Sequence, residues 1–219
     1  MDTIKLIVYA LVIISTILIF STLFTPKPAI WGYLLAHPAS FLAFSYAYYK
    51  TKDNFWLIML ASEIPMLISD LYFIPTFGGL IFPRDSGVGM NMWAGLHMVI
   101  ISLGCFFYFK KSSLNYANLI MLFATVLTNT SFSSFLLSRS AVGMIITLIW
   151  QAIVIYYLVY YGMNNKKFVF SAGAVIWFIG LLIIVLYYFY VSHEIQPITL
   201  TWTDKIIVFG RNLLSIGAL

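Results

Sequence analysis

Apolar residues dominate the chain in long unbroken stretches, and polar residues fall in short breaks between them. Seven stretches reach the roughly 20 residues needed to cross a bilayer as a helix: 4–24, 29–49, 55–77, 89–109, 115–138, 141–162 and 168–192. The breaks hold Pro26 and Pro28, Lys50 to Asp53, Gly78-Gly79 with Pro83-Arg84-Asp85, Lys110-Lys111, Ser138-Arg139-Ser140 and Asn164 to Lys167. The tail is less plain. From Asp204 it has room for a helix of about 24 Å with Arg211 in its middle. It reads as a short eighth span starting near Ile198, with an interfacial amphipathic helix as the alternative. The pattern therefore predicts an all-α, polytopic membrane helix bundle, residues 1–219 forming one integral membrane domain. The first stretch is longer than a signal-peptide core and lacks an obvious small-residue cleavage site, so it is read as a retained span.

Composition agrees: 62% of the 219 residues are hydrophobic and 9% are charged, against about 25% charged in an ordinary soluble domain. The formal charge of +5 comes from residues at helix ends rather than from a basic stripe, which argues against nucleic acid as a partner. Lys5, Lys50, Lys52, Lys110, Lys111, Lys166 and Lys167 fall on the amino-terminal side of the predicted topology. Lys27, Arg84 and Arg139 fall on the other. That asymmetry places the amino terminus in the cytoplasm, with the carboxyl terminus outside for seven spans or inside for eight. Cys105 is the single cysteine, so an intrachain disulfide and a cysteine-built zinc or iron–sulfur site are excluded.

Chemistry concentrates in the third stretch. Glu63 and Asp70 lie seven residues apart, on nearly the same helix face at about 100° per residue. Carboxylates are costly in lipid and need a partner or a function. Counting about 1.5 Å per residue from the helix ends puts His37 about 12 Å deep, Asp70 about 10 Å and His97 about 12 Å, all from the same side. Asn129 and Gln151 fall near that level, and Glu63 lies deeper. Pro65, between the acids, is expected to kink its helix and free a carbonyl. The layer suits three chemistries: an Asp–His general acid/base, a His/carboxylate metal site, and a proton relay. The metal is disfavoured, because no HxxxH or HExxH pair is present and His193 lies beyond the seventh stretch. No cofactor is expected. Two haem-ligating histidines would announce themselves in an absorbance spectrum, and a retinal pigment is excluded because the seventh stretch has no lysine. For Glu63 the plain alternative is a structural pair with Arg211. The tyrosine and phenylalanine clusters, Tyr46 to Tyr49 and Tyr156 to Tyr161, read as interfacial belts. Asn129-Thr130-Ser131 is a glycosylation sequon set inside a predicted span.

Several short motifs occur in a familiar order. Lys27-Pro28 opens the second stretch, Ser69-Asp70 is followed by Leu71 to Pro75 in the third, and Gly95-Leu96-His97 precedes Tyr108-Phe109 in the fourth. In this order the first half resembles the YhhN-like lysoplasmalogenase family. The resemblance implies eight membrane helices and hydrolysis of the vinyl-ether bond of lysoplasmalogens. It makes Asp70 a catalytic acid or base with His97 and Lys27 nearby. Ser69 stands where that family has glycine. The family's second acid has no counterpart in 168–192, and Phe209-Gly210-Arg211 replaces its terminal Tyr and Gln.

The leading expectation is thus a membrane-embedded lipid or ether hydrolase using Asp70, His37 and His97. Lys27, Glu63, Asn129, Gln151 and Arg211 are candidate binding residues, and membrane lipids are the partners. The alternatives are a non-catalytic accessory subunit of a membrane complex, or a homo-oligomer component, and a proton-coupled transporter or channel.

Overall fold

In a computed structural model the described residues are 2–21, 28–70, 87–109, 141–190 and 197–219. They form seven α-helices and, among the described residues, no strand: α1 (Thr3–Ser21), α2 (Pro28–Thr51), α3 (Asn54–Asp70), α4 (Gly87–Phe109), α5 (Ala141–Asn164), α6 (Phe168–Tyr190) and α7 (Pro197–Ala218). The predicted stretches at 4–24, 29–49, 89–109, 141–162 and 168–192 coincide with helices to within a few residues. The third coincides as far as Asp70. The stretch at 115–138 lies outside the described residues, as do Lys27 and Asn129. Among the described residues α1 is long and apolar enough to cross a membrane, and shorter apolar helices occur in α3, α4 and α6.

The ends of these helices are set by local chemistry. Pro28 and Pro197 open α2 and α7, where a missing N–H costs nothing and φ is already helical. Asp53 caps α3, its Oδ1 accepting the Phe55 N–H at 3.0 Å. Lys52 ends α2 in the left-handed region (φ 55°), its N–H bonded to the Tyr48 carbonyl. Lys166 (φ 56°) ends α5 in a Schellman turn: Lys167 N–H bonds to Gly162 O and Lys166 N–H to Met163 O.

The tail is neither short nor superficial. α7 has 22 residues, about 33 Å, and packs against α6, α1 and α2. The interfacial alternative is therefore corrected: Val208, Arg211, Asn212, Leu214 and Ser215 are all buried. Its approach to α6 is close because glycines face each other. A Cβ on Gly210 would stand 2.4 Å from the Trp177 backbone nitrogen, and one on Gly173 would stand 2.6 Å from that of Leu214. Polar side chains fasten α7 to the other helices. Asn212 Nδ2 donates to Ser15 Oγ (3.2 Å) and Thr16 Oγ1 (2.9 Å) of α1. Ser15 Oγ in turn donates to Gly32 O of α2 at 2.8 Å, and Ser40 of α2 meets Ser215 at 2.9 Å.

One end of the assembly is basic and aromatic. Lys5 Nζ donates to Leu219 O at 3.0 Å, and Lys167 Nζ to the carbonyls of Gly217 (3.3 Å) and Ala218 (3.1 Å). Two ammonium groups thus serve the electronegative end of α7. Burial, and after it the charge of Lys5, hold the Lys167 ammonium below the usual lysine range. Lys50 pairs with Asp2 at 3.5 Å. Phe55 stacks on Tyr161, ring centroids 3.4 Å apart, and meets Tyr108 edge-on at 5.7 Å. Those contacts bring the last turns of α4 and α5 to the same end as the first turn of α3, so α4 and α5 point the same way.

Candidate functional site

Two buried pairs of ionisable side chains occupy the interior. His37 on α2 and Asp70, the last residue of α3, meet through Nδ1 and Oδ2 at 2.6 Å. Glu63, two turns earlier on α3, is hydrogen-bonded and ion-paired through Oε2 to Arg211 Nη2 of α7. His97 of α4 joins the second pair: its Nε2 lies 3.4 Å from Arg211 Nη1, and its Nδ1 lies 2.6 Å from the Ser62 carbonyl. All five side chains belong to residues no more than 6% exposed.

The hydrogen bonds assign protons. A carbonyl only accepts, so His97 Nδ1 carries its hydrogen. A guanidinium only donates, so His97 Nε2 is the acceptor and the ring is neutral. A contact of 2.6 Å between His37 and Asp70 needs one proton between them, held either as imidazolium–carboxylate or as imidazole–carboxylic acid. Both forms are neutral as a pair. With Arg211 balancing Glu63, the five groups sum to zero charge, which is what burial of this much charge requires.

The two pairs act on one another. Arg211 exerts a Coulomb effect on His37, Asp70 and His97 as well as on Glu63, and His37 acts on both Glu63 and His97. Trp177 of α6 completes the surroundings, its ring 5.8 Å from that of His97 and 5.9 Å from the Arg211 guanidinium carbon. A guanidinium at this distance over an indole face is attracted by the ring.

His37, Asp70 and His97, which sequence depth sets at one level, are therefore brought into one cluster but not into one contact. His37 touches Asp70, whereas His97 touches Arg211, the partner of Glu63. Glu63 takes the partner considered for it. Pro65 sits inside α3, and the carbonyl that His97 uses, Ser62 O, lies in the turn before it. That is one residue on from Ala61, whose own helical donor the proline removes. Gln151 of α5 is buried, its Oε1 without a hydrogen-bond partner among the described residues, and no described contact joins it to the cluster. Lys27 and Asn129 lie outside the described residues. Among the described residues no group of three or more His, Cys, Asp or Glu side chains is disposed to hold a metal ion.

Sequence reasoning did not single out Ser62, Trp177, Asn212 or Ser215. Ser62 contributes a backbone atom, which side-chain pattern does not reveal. Asn212 and Ser215 carried a signal, because polar residues at one and four positions after Arg211 extend its buried helical face.

No protein-family model, curated protein or solved structure matches the chain.

Proposed function

We propose that the protein is a polytopic membrane protein, amino terminus in the cytoplasm, whose buried His37–Asp70 pair performs acid/base chemistry on a lipid ether in the manner of a lysoplasmalogenase. The membrane part rests on an inside-out distribution. Ile13, Ile17, Trp31, Phe107, Ile149 and Phe168 are large, apolar and exposed, while His37, Glu63, Asp70, His97, Arg211 and Asn212 are buried. Water favours the reverse arrangement, and lipid favours this one. The gathering of Lys5, Lys50 and Lys167 at one end supports the orientation.

The single observation that carries the chemistry is the 2.6 Å His37–Asp70 hydrogen bond between two buried side chains. Such a pair can lend one proton and take it back. Hydrolysis of a vinyl ether needs little more. The pair's proton goes to the carbon β to the ether oxygen, and the cation that forms is stabilised by that oxygen. Water adds to the cationic carbon and returns a proton to the pair. The hemiacetal then breaks into an aldehyde and an alcohol. The second acid that the family uses is missing here, so His37 is given the role of its proton partner. In purified protein, Asp70→Asn is expected to lower vinyl-ether hydrolysis at least about a hundredfold, read by aldehyde release. A wild-type rate in that variant would overturn the assignment.

A second reading has its own support. α2, α3, α4 and α7 each supply ionisable groups that act electrostatically on one another, which suits a proton relay for transport. Proteoliposomes whose acidification is lost in both Glu63→Gln and Asp70→Asn, with no lipid hydrolysed by the wild type, would favour it over the hydrolase.

A further inference from the structure

A cleft of about 840 Å³ opens at the basic end, beside the start of α3, whose far end carries Asp70. Lys52, Asp53, Asn54, Ile58, Gly104, Phe107, Tyr108 and Phe109 line it, and its size falls within the roughly 300–1,000 Å³ typical of small-ligand sites. Its lining is graded. Lys52 to Asn54 form a polar rim between α2 and α3. Ile58 lies about 6 Å further along α3, and Gly104 lets α3 approach there, since a Cβ at that position would stand 2.4 Å from Ile58 Cγ2. Phe107, 58% exposed, forms an apolar wall on the outer face of α4.

The rim carries both signs of charge on adjacent residues. Lys52 is held in its left-handed turn, its ammonium over the rings of Tyr49 (4.9 Å) and Tyr48 (5.7 Å). Asp53 accepts the Phe55 N–H at Oδ1 and the Tyr161 hydroxyl at Oδ2, the latter at 2.7 Å. Those two bonds and one from the Tyr108 side chain fix the carboxylate, and of the roughly four acceptor positions of a carboxylate one is left for another donor. A cation and an anion side by side, above an apolar wall, complement a ligand with a phosphate, an ammonium and a hydrocarbon chain. An anionic lipid would meet Asp53 unfavourably, and a soluble zwitterion would make no use of Phe107.

We infer that this cleft binds one zwitterionic glycerophospholipid, its phosphate at Lys52, its ammonium at Asp53 and its acyl chain along Ile58 and Phe107. The inference rests on the membrane reading above, because the rim must lie at headgroup depth. It does not rest on the His37–Asp70 chemistry.

The test is native mass spectrometry of the full chain in detergent, titrated with short-chain phosphatidylethanolamine, phosphatidylcholine and phosphatidylglycerol. The two zwitterionic lipids are expected to bind one per chain, with phosphatidylglycerol weaker by about tenfold, the worth of one charge-assisted contact. Lys52→Glu is expected to weaken zwitterionic binding by about tenfold, and Phe107→Ser to weaken it as well. Lys166→Glu, an equal charge change at the same end but outside the lining, is expected to leave binding unchanged. Equal binding of all three lipids, binding of none, or equal effects of Lys52→Glu and Lys166→Glu would overturn the inference. The membrane reading fails separately, by release of the chain from membranes in alkaline carbonate.

Discussion

Glu63 and Arg211 stabilise the fold only as a pair. An ion taken out of water is costly, and its partner repays that cost at close range. Removing Glu63 alone strands a guanidinium that also holds His97. Glu63→Leu is therefore expected to cost about 3–5 kcal/mol in a reversible unfolding titration. Glu63→Leu combined with Arg211→Met is expected to recover most of that loss. A double variant as unstable as the sum of the singles would show that the pair is not the unit. This pairing was legible in the sequence because charges are scarce in the apolar stretches, and few candidates existed for either. The His97–Ser62 contact was not legible, since its acceptor is a main-chain oxygen, which no side-chain pattern marks.

The helices themselves were mostly legible, because a run of twenty apolar residues leaves little choice of secondary structure. α7 was the exception. Its start near Ile198 was read to within one residue of Pro197, but Arg211 in its middle left a surface position open as the alternative. Pro197 starts it about two turns before Asp204, and the charge that argued for a surface position is neutralised by a residue 148 positions upstream. Local pattern contains no such information. Glycine spacing held a further clue: Gly173 and Gly180 on α6, and Gly210 and Gly217 on α7, each recur at seven residues and mark the faces that meet. Gly210→Ala would press a methyl group against the backbone of Trp177. It is expected to cost about 1–3 kcal/mol by forcing α6 and α7 apart. Gly32→Ala, whose nearest contact is the far end of the Ile19 side chain at 3.1 Å, is expected to be milder. Thermal unfolding of the two variants side by side checks the contrast.

Across the whole molecule, polarity runs from a basic, tyrosine-rich end to an interior of balanced charge, behind an apolar exterior. The end-to-end sense is testable because Cys105 is buried and competes little for labels. Lys50→Cys and Lys166→Cys, both at exposed positions, are expected to react with a membrane-impermeant maleimide from the same side of sealed vesicles, the cytoplasmic one. Labelling from opposite sides would contradict the topology. The Glu63–Arg211 pair also has a history in time. Ribosomes make about 5–20 residues per second, so Glu63 emerges about 7–30 s before the residue 148 positions later that neutralises it. In a chain that inserts as it is made, the third helix must wait through that interval with an uncompensated acid. Chains that stop short of the last helix therefore keep Glu63 without the arginine that pairs with it in the folded protein.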